Sequence, residues 1–242
     1  ILAGSHTQAG LSDLLDVFKG AGSNGDSVAT TPATVNATSL TDGEMVSGLK
    51  EALNKGTRYA VENLGKDGGF LNNDRVRIPM PESLSWVEKT LRTLRQDRLA
   101  DEFVASMNHA AEQAVPEAAA IFGDAIQTMT LDDAKGILTG PDDSATQYFR
   151  RTTSDALTAK MRPIVEEATS RTGVTSNYKN MTEKAGGLAS MFSKDTTDLD
   201  GYVTQKTLDG LFLMVAEEEK RIRENPLARS SDLLQKVFGA FQ

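Results

Sequence analysis

The chain contains no cysteine. Disulfides, thiolate nucleophiles, Cys-ligated zinc and iron–sulfur clusters are excluded with it. Histidine is nearly missing, with 2 residues in 242. A Ser-His-Asp arrangement therefore has almost nothing to draw on. Aromatic side chains make up 6% of the chain. Leu, Ala, Val, Ile and Met must do most of the packing, and these are largely helix formers. Long apolar runs are lacking too. The longest, Leu211-Phe212-Leu213-Met214-Val215-Ala216, is too short to span a bilayer. Positive charge is in deficit, with 26 Lys plus Arg against 34 Asp plus Glu and a net charge of −8. That is the wrong sign for phosphate, so no nucleic-acid partner is expected.

What remains is the composition of an ordinary globular protein, with 39% hydrophobic and 25% charged residues. The length is ample to bury a core.

Residues 1–9 begin apolar and turn small and polar. Thr7-Gln8-Ala9 puts small residues at the positions that signal peptidase reads. Leu2-Ala3-Gly4 opens like a bacterial lipoprotein box, with Ser5 where the lipidated cysteine would stand. The expectation is a signal or lipoprotein-box remnant, or a linker, over 1–9. Location in the periplasm or envelope follows, with a lipid anchor on the native protein left open. Within residues 10–19, Leu11, Leu14, Leu15 and Phe18 form one stripe of a short amphipathic helix. Residues 20–40 are rich in Gly, Ser, Thr, Asn and Ala, and read as a flexible linker.

The folded body is expected over 41–242 as a single all-α, bundle-like domain of about eight to ten helices. Thr41 and Glu44 form a capping box. The helix that follows has Met45, Leu49, Leu53 (or Ala52), Ala60 and Leu64 on its buried side, and Gly65 stops it. Arg75-Val76-Arg77-Ile78-Pro79 alternates like a short extended piece with no partner strand in view. It belongs to a polar, Pro-bounded loop, and loops of that kind often carry function. Leu84, Val87, Leu91 and Leu94 make the next stripe, followed by Leu99, Phe103, Met107 and Ala111 (or Ala110). Pro116 opens a helix through Ala120, Ile121, Ala125 and Met129, and Thr130 with Asp133 caps a short one. A long helix over 142–172 carries Tyr148, Phe149, Thr152, Ala156, Leu157, Met161, Ile164 and Ala168, with Pro163 set to kink or split it. A weaker helix is expected over 178–190, and a closing one over 227–241 through Leu233, Leu234, Val237 and Phe238.

The helix over 198–224 is the strongest in the chain. Its run from Leu211 to Ala216 is apolar on every face, so it should lie at the centre, surrounded by protein. Glu217-Glu218-Glu219 follows directly. Glu219 falls on the face of Phe212, Val215 and Ile222, and Glu218 on that of Leu211 and Met214. At least one carboxylate is thereby driven inward, where it needs a partner. Arg150, Arg151, Arg162, Arg221 and Arg223 are the candidates. The outcome is either a polar ligand site or a structural ion pair with a solvated helix end.

Other constellations are weaker. Asp198-x-Asp200-Gly201 matches the middle of a calcium loop, but Thr196 and Thr207 stand where ligands are required. His109 has no second His at ligand spacing, so no metal site is expected there. No motif asks for a cofactor.

The ordered succession of several segments resembles the bacterial domain-of-unknown-function family 4197 over residues 41–239. These are Leu49-Lys50-Glu51-Ala52-Leu53, Gly69-Phe70-Leu71-Asn72, Arg77-Ile78-Pro79-Met80-Pro81 and Ala114-Val115-Pro116-Glu117-Ala118. Met129-Thr130-Leu131-Asp132-Asp133-Ala134-Lys135-Gly136-Ile137-Leu138, Tyr148-Phe149-Arg150-Arg151, Tyr202-Val203-Thr204 and Leu208-Asp209-Gly210-Leu211-Phe212 complete the series. The resemblance implies an exported bacterial helical protein, and no activity or catalytic residue comes with it.

The expected function is that of a non-enzymatic envelope protein that binds another protein or a small ligand. Its site would be a groove near Tyr148, Arg150, Arg151, Glu218 and Glu219. The alternative is an enzyme using carboxylates or a divalent metal, for which Asp132, Asp133, Asp142 and Asp143 are dense enough.

Overall fold

A computed structural model describes residues 41–171, 198–225 and 231–239, with the side chain of Leu234 left out. All of them belong to the compact unit Leu40–Gln242. The expected helices over 10–19 and 178–190, and the linker over 20–40, lie outside the described residues.

Among the described residues the fold is all-α. The helices are α1 (Asp42–Leu64), α2 (Ser85–Thr93), α3 (Asp97–Ala114), α4 (Ala118–Thr128), α5 (Leu131–Thr139), α6 (Ser144–Arg171), α7 (Leu199–Glu224) and α8 (Asp232–Gly239). Short 3-10 turns over Glu82–Leu84 and Val115–Glu117 lead into α2 and α4. No described helix is long and apolar enough to cross a membrane.

α7 lies at the centre, packed on α6, α1 and α3. α6 also meets α3, α4 and α5, while α8 lies on α1. Phe70, Phe103, Phe122, Phe149 and Phe212 are fully buried, so a chain poor in aromatics concentrates several of them in its core. Phe122 sits 4.9 Å from Phe149 and 6.2 Å from Phe212, centroid to centroid. These are tilted and edge-on contacts of the favourable kind.

Both expected capping boxes form. The Thr41 hydroxyl accepts from the Glu44 N–H, and the Glu44 carboxylate accepts from the Thr41 N–H. Thr130 and Asp133 repeat the pattern at α5. Glu44 also takes Lys236 of α8 at 2.6 Å. That bond, with the two from Thr41, holds its carboxyl down at about 2.

Glycines mark the close crossings. A Cβ on Gly48 would stand 2.6 Å from Val237 of α8, and one on Gly210 would stand 2.8 Å from the Phe70 ring. Residues 65–81 therefore press directly on the middle of α7. Within them Val76, Ile78 and Met80 are buried, and Arg75, Arg77 and Pro79 are exposed. The expected alternation is present without any strand partner.

Several expectations shift. α7 is not enclosed all round, since Leu213 is 36% exposed. Pro116 sits inside the 3-10 turn Val115–Glu117 rather than opening an α-helix. Ala125 and Met129 are buried as expected, while Ala118, Phe122 and Ile126 join them and Ala120 is exposed. In α6, Thr153 and Val165 are inside while Thr152 and Ala156 are exposed. Pro163 does not split α6, which runs unbroken from Ser144 to Arg171. Pro163 and Ala159 both face outward, so water can serve the carbonyl that proline leaves unpaired.

Leu94 leaves the α2 stripe and is 53% exposed. The helix stops because Arg95 adopts φ 58°, and the Gln96 N–H bonds back to the Leu91 carbonyl. That is a helix-ending left-handed turn, a place glycine fills without strain. Arg95→Gly should raise the unfolding free energy by about 1 kcal/mol, read by urea denaturation. A loss of stability would contradict the left-handed assignment.

Candidate functional site

The five candidate residues are spread over separate contacts. The Tyr148 hydroxyl donates to the Ala125 carbonyl near the end of α4, at 2.8 Å. Burial pushes this phenol above its usual range. Arg150 stacks its guanidinium 4.6 Å over the Phe212 ring. Arg151 lies 5.7 Å over the Tyr148 ring and 3.9 Å from Asp133. Glu218 is buried and paired with Arg221, whose Nε donates at 3.0 Å.

Glu219 has the densest set of partners. Its two carboxylate oxygens accept from the backbone N–H of Ala145 and of Thr146, each at 2.9 Å, and from the Thr146 hydroxyl at 2.9 Å. These N–H groups belong to the first turn of α6, which has no partners within its own helix. Glu219 thus caps α6 from another helix and sets a negative charge on its positive end. Arg223 donates to Glu219 at 2.9 Å and to the Ile137 carbonyl near the C-terminus of α5 at 2.8 Å. One ion pair on α7 therefore satisfies the end of one helix and the start of the next. A cavity of about 20 Å³, lined mostly by apolar side chains such as Leu49, Phe149 and Ile222, adjoins this pair. That space is about one water in size. Glu217, the third of the run, pairs with Arg75 of the 65–81 loop.

A second buried polar group lies on α3. Asn108 on α3 accepts from the Ile78 N–H at 2.8 Å and donates to the Ile78 carbonyl at 2.9 Å. Its side-chain amide stands in for the missing strand. One turn further, the buried Glu112 accepts from the Phe70 and Leu71 N–H groups at 2.9 and 3.0 Å. Its other oxygen meets His109 Nδ1 at 2.8 Å. Asp67 lies 3.6 Å from the same nitrogen. The signal for this cluster was present: Val104, Asn108 and Glu112 recur every fourth residue on a face otherwise made of small side chains.

The clamped loop forms one wall of a cleft of about 500 Å³. Asp74, Arg77, Pro79 and Met80 line it from the loop, and Glu88, Arg92, Asp101 and Val104 from α2 and α3. Arg92 is held by Glu88 at 2.8 Å and by Asp97 and Asp101 at 3.3 Å. Asp74 and the Arg77 guanidinium form no ion pair among the described residues.

The acidic pairs considered for metal chemistry lie near helix starts. Asp198 accepts from the Gly201 N–H at 2.8 Å and pairs with Arg162 at 3.0 Å, while Asp200 accepts from the Thr169 hydroxyl at 2.7 Å. Asp133 serves the α5 capping box, and its bonds to Thr130 hold its carboxyl below the usual range. Asp143 accepts from the Gln147 side chain at 2.9 Å.

Replacing Glu219 by alanine strands the α6 N–H groups and leaves Arg223 without its carboxylate. Glu219→Ala should cost about 3–5 kcal/mol in urea unfolding, and adding Arg223→Ala should cost less than the sum of the two. A loss below about 1 kcal/mol would remove the capping role.

Comparisons with curated proteins and with solved structures returned no match. A family profile described as "Protein of unknown function (DUF4197)" matches residues 39–239. That span takes in every described helix, the Glu219 cap and the 65–81 clamp, and the chain belongs to this family.

Proposed function

We propose that the chain is a non-enzymatic binding protein of the bacterial cell envelope, and that its ligand occupies the cleft between residues 74–80 and helices α2 and α3. One observation carries this reading. Asp74 and Arg77 stand at the cleft with opposite charges and no ion pair among the described residues, beside Pro79, Met80 and Val104. A volume of about 500 Å³ suits a small ligand. The loop that presents these groups is fixed from below by Asn108 and Glu112, so little ordering is left for binding to oppose.

The chemistry points to a ligand that offers both an acid and an amine, such as an amino acid or short peptide. The groove first expected around Tyr148 and Arg150 is less suited, because Glu218 and Glu219 are already committed to Arg221, Arg223 and the start of α6. The envelope location is supported by the family resemblance and by the Leu2-Ala3-Gly4-Ser5 pattern.

A panel of free amino acids and dipeptides, titrated while the Met80 methyl is followed by NMR, tests the reading. At least one probe should shift that methyl saturably, and Arg77→Ala should weaken the response about tenfold or more. A Met80 signal that no probe moves, or a response indifferent to Arg77→Ala, contradicts it.

A further inference from the structure

Two carboxylates converge on one imidazole at the start of the 65–81 loop. Glu112 is buried, and its Oε1 is taken up by the Phe70 and Leu71 N–H groups. Its Oε2 points at His109 Nδ1, 2.8 Å away. Asp67 reaches toward the same nitrogen from the loop, at 3.6 Å. Donor atoms of the three residues lie within 4.8 Å of one another. Among the described residues, no lysine or arginine pairs with either carboxylate. The neighbouring Lys66 donates to Asn63 instead. Among the described residues, the cluster therefore sets two carboxylates around one imidazole with no cation paired to them.

The donors are close enough to share an ion after small side-chain shifts. Tetrahedral zinc holds nitrogen and oxygen ligands at about 2.0–2.2 Å, which places neighbouring donors roughly 3.3–3.6 Å apart. The 3.6 Å between His109 and Asp67 stands at the edge of that range, and the 2.8 Å hydrogen bond between His109 and Glu112 must open by about half an ångström to admit the ion. The Phe70 and Leu71 N–H groups fix the Glu112 carboxylate in the way that outer-shell donors orient metal ligands. His109 is half-buried and Asp67 is 96% exposed, so an ion can enter from solvent.

We propose that Asp67, His109 and Glu112 form a binding site for a first-row divalent cation of the zinc class. One nitrogen and two carboxylate oxygens suit such an ion, and water completes its coordination. Binding at Nδ1 needs the lone pair of that nitrogen: a neutral imidazole then carries its ring proton on Nε2, and an imidazolium first gives one proton to solvent. The ion ties Asp67 in the loop to α3, beside the point where Glu112 already holds Phe70 and Leu71. This site stands independently of the cleft and of any ligand there.

The test uses the full chain and zinc chloride alone. Calorimetry should find one tight ion per chain, and the His109 ring signals should shift with it. The chain has two histidines, so His109→Gln assigns those signals and leaves His6 as an internal control. Glu112→Gln risks the loop itself, so the informative variants are His109→Gln and Asp67→Asn. His109→Gln should abolish the tight site, and Asp67→Asn, at an exposed position, should weaken it about 10–100-fold. The proposal is overturned if millimolar zinc leaves the His109 signals in place, if it moves the His6 signals alone, or if both variants bind as the parent does.

Discussion

A backbone N–H taken out of water needs an acceptor, and in this fold several of those acceptors are single side chains reaching from other helices. The first turn of α6 depends on Glu219, the Phe70-Leu71 turn depends on Glu112, and Ile78 depends on Asn108. Without them, three stretches of chain would bury unpaired donors, each costing on the order of 1–3 kcal/mol. Each acceptor in turn fixes a relation between elements distant in sequence. Glu219 sets the start of α6 on α7, and the pair on α3 sets the loop on α3. The same loop presses on Gly210, where a side chain would collide with Phe70.

The excess of acid takes on a different meaning in this light. Much of it serves helix starts, as Glu44, Asp133 and Asp198 do at the helices they open. Glu219 does the same from a distance. Because Arg223 accompanies it inward and continues to the Ile137 carbonyl, the buried charge is neutralised where two helix ends meet. The carboxylate run that first suggested a ligand site is thus committed to Arg75, Arg221 and Arg223. On the 65–81 loop, Asp74 and Arg77 form no ion pair among the described residues, and Asp67 faces only His109.

Periodicity made most of the helices legible, because each buries a stripe that recurs every three or four residues. The alternation over 75–79 and the Thr-x-x-acid capping boxes were legible as well. Around α4 periodicity placed Ala125 and Met129 inside but missed Phe122 and put Ala120 inside, where the helix exposes it. It misjudged Leu94, because a non-glycine residue took the left-handed turn. The inward turn of Glu219 was readable from its position relative to Val215 and Ile222. Arg223 was among the candidate partners, but Ala145 and Thr146 were not readable, since folding alone joins them to Glu219. The Asp67, His109 and Glu112 cluster was hidden for the same reason, because two elements must meet before the donors are neighbours. The family gives the chain a place among proteins of unknown function, so any role must be read from these local arrangements.

Native-state hydrogen exchange measures the central dependence directly. Helix-start and loop amides normally exchange through small local openings. If buried side chains hold this fold together, the amides of Ala145, Thr146, Phe70, Leu71 and Ile78 will exchange only through global unfolding, with the protection of mid-helix core residues. Exchange at these five amides as fast as at the exposed start of α1 would contradict the account.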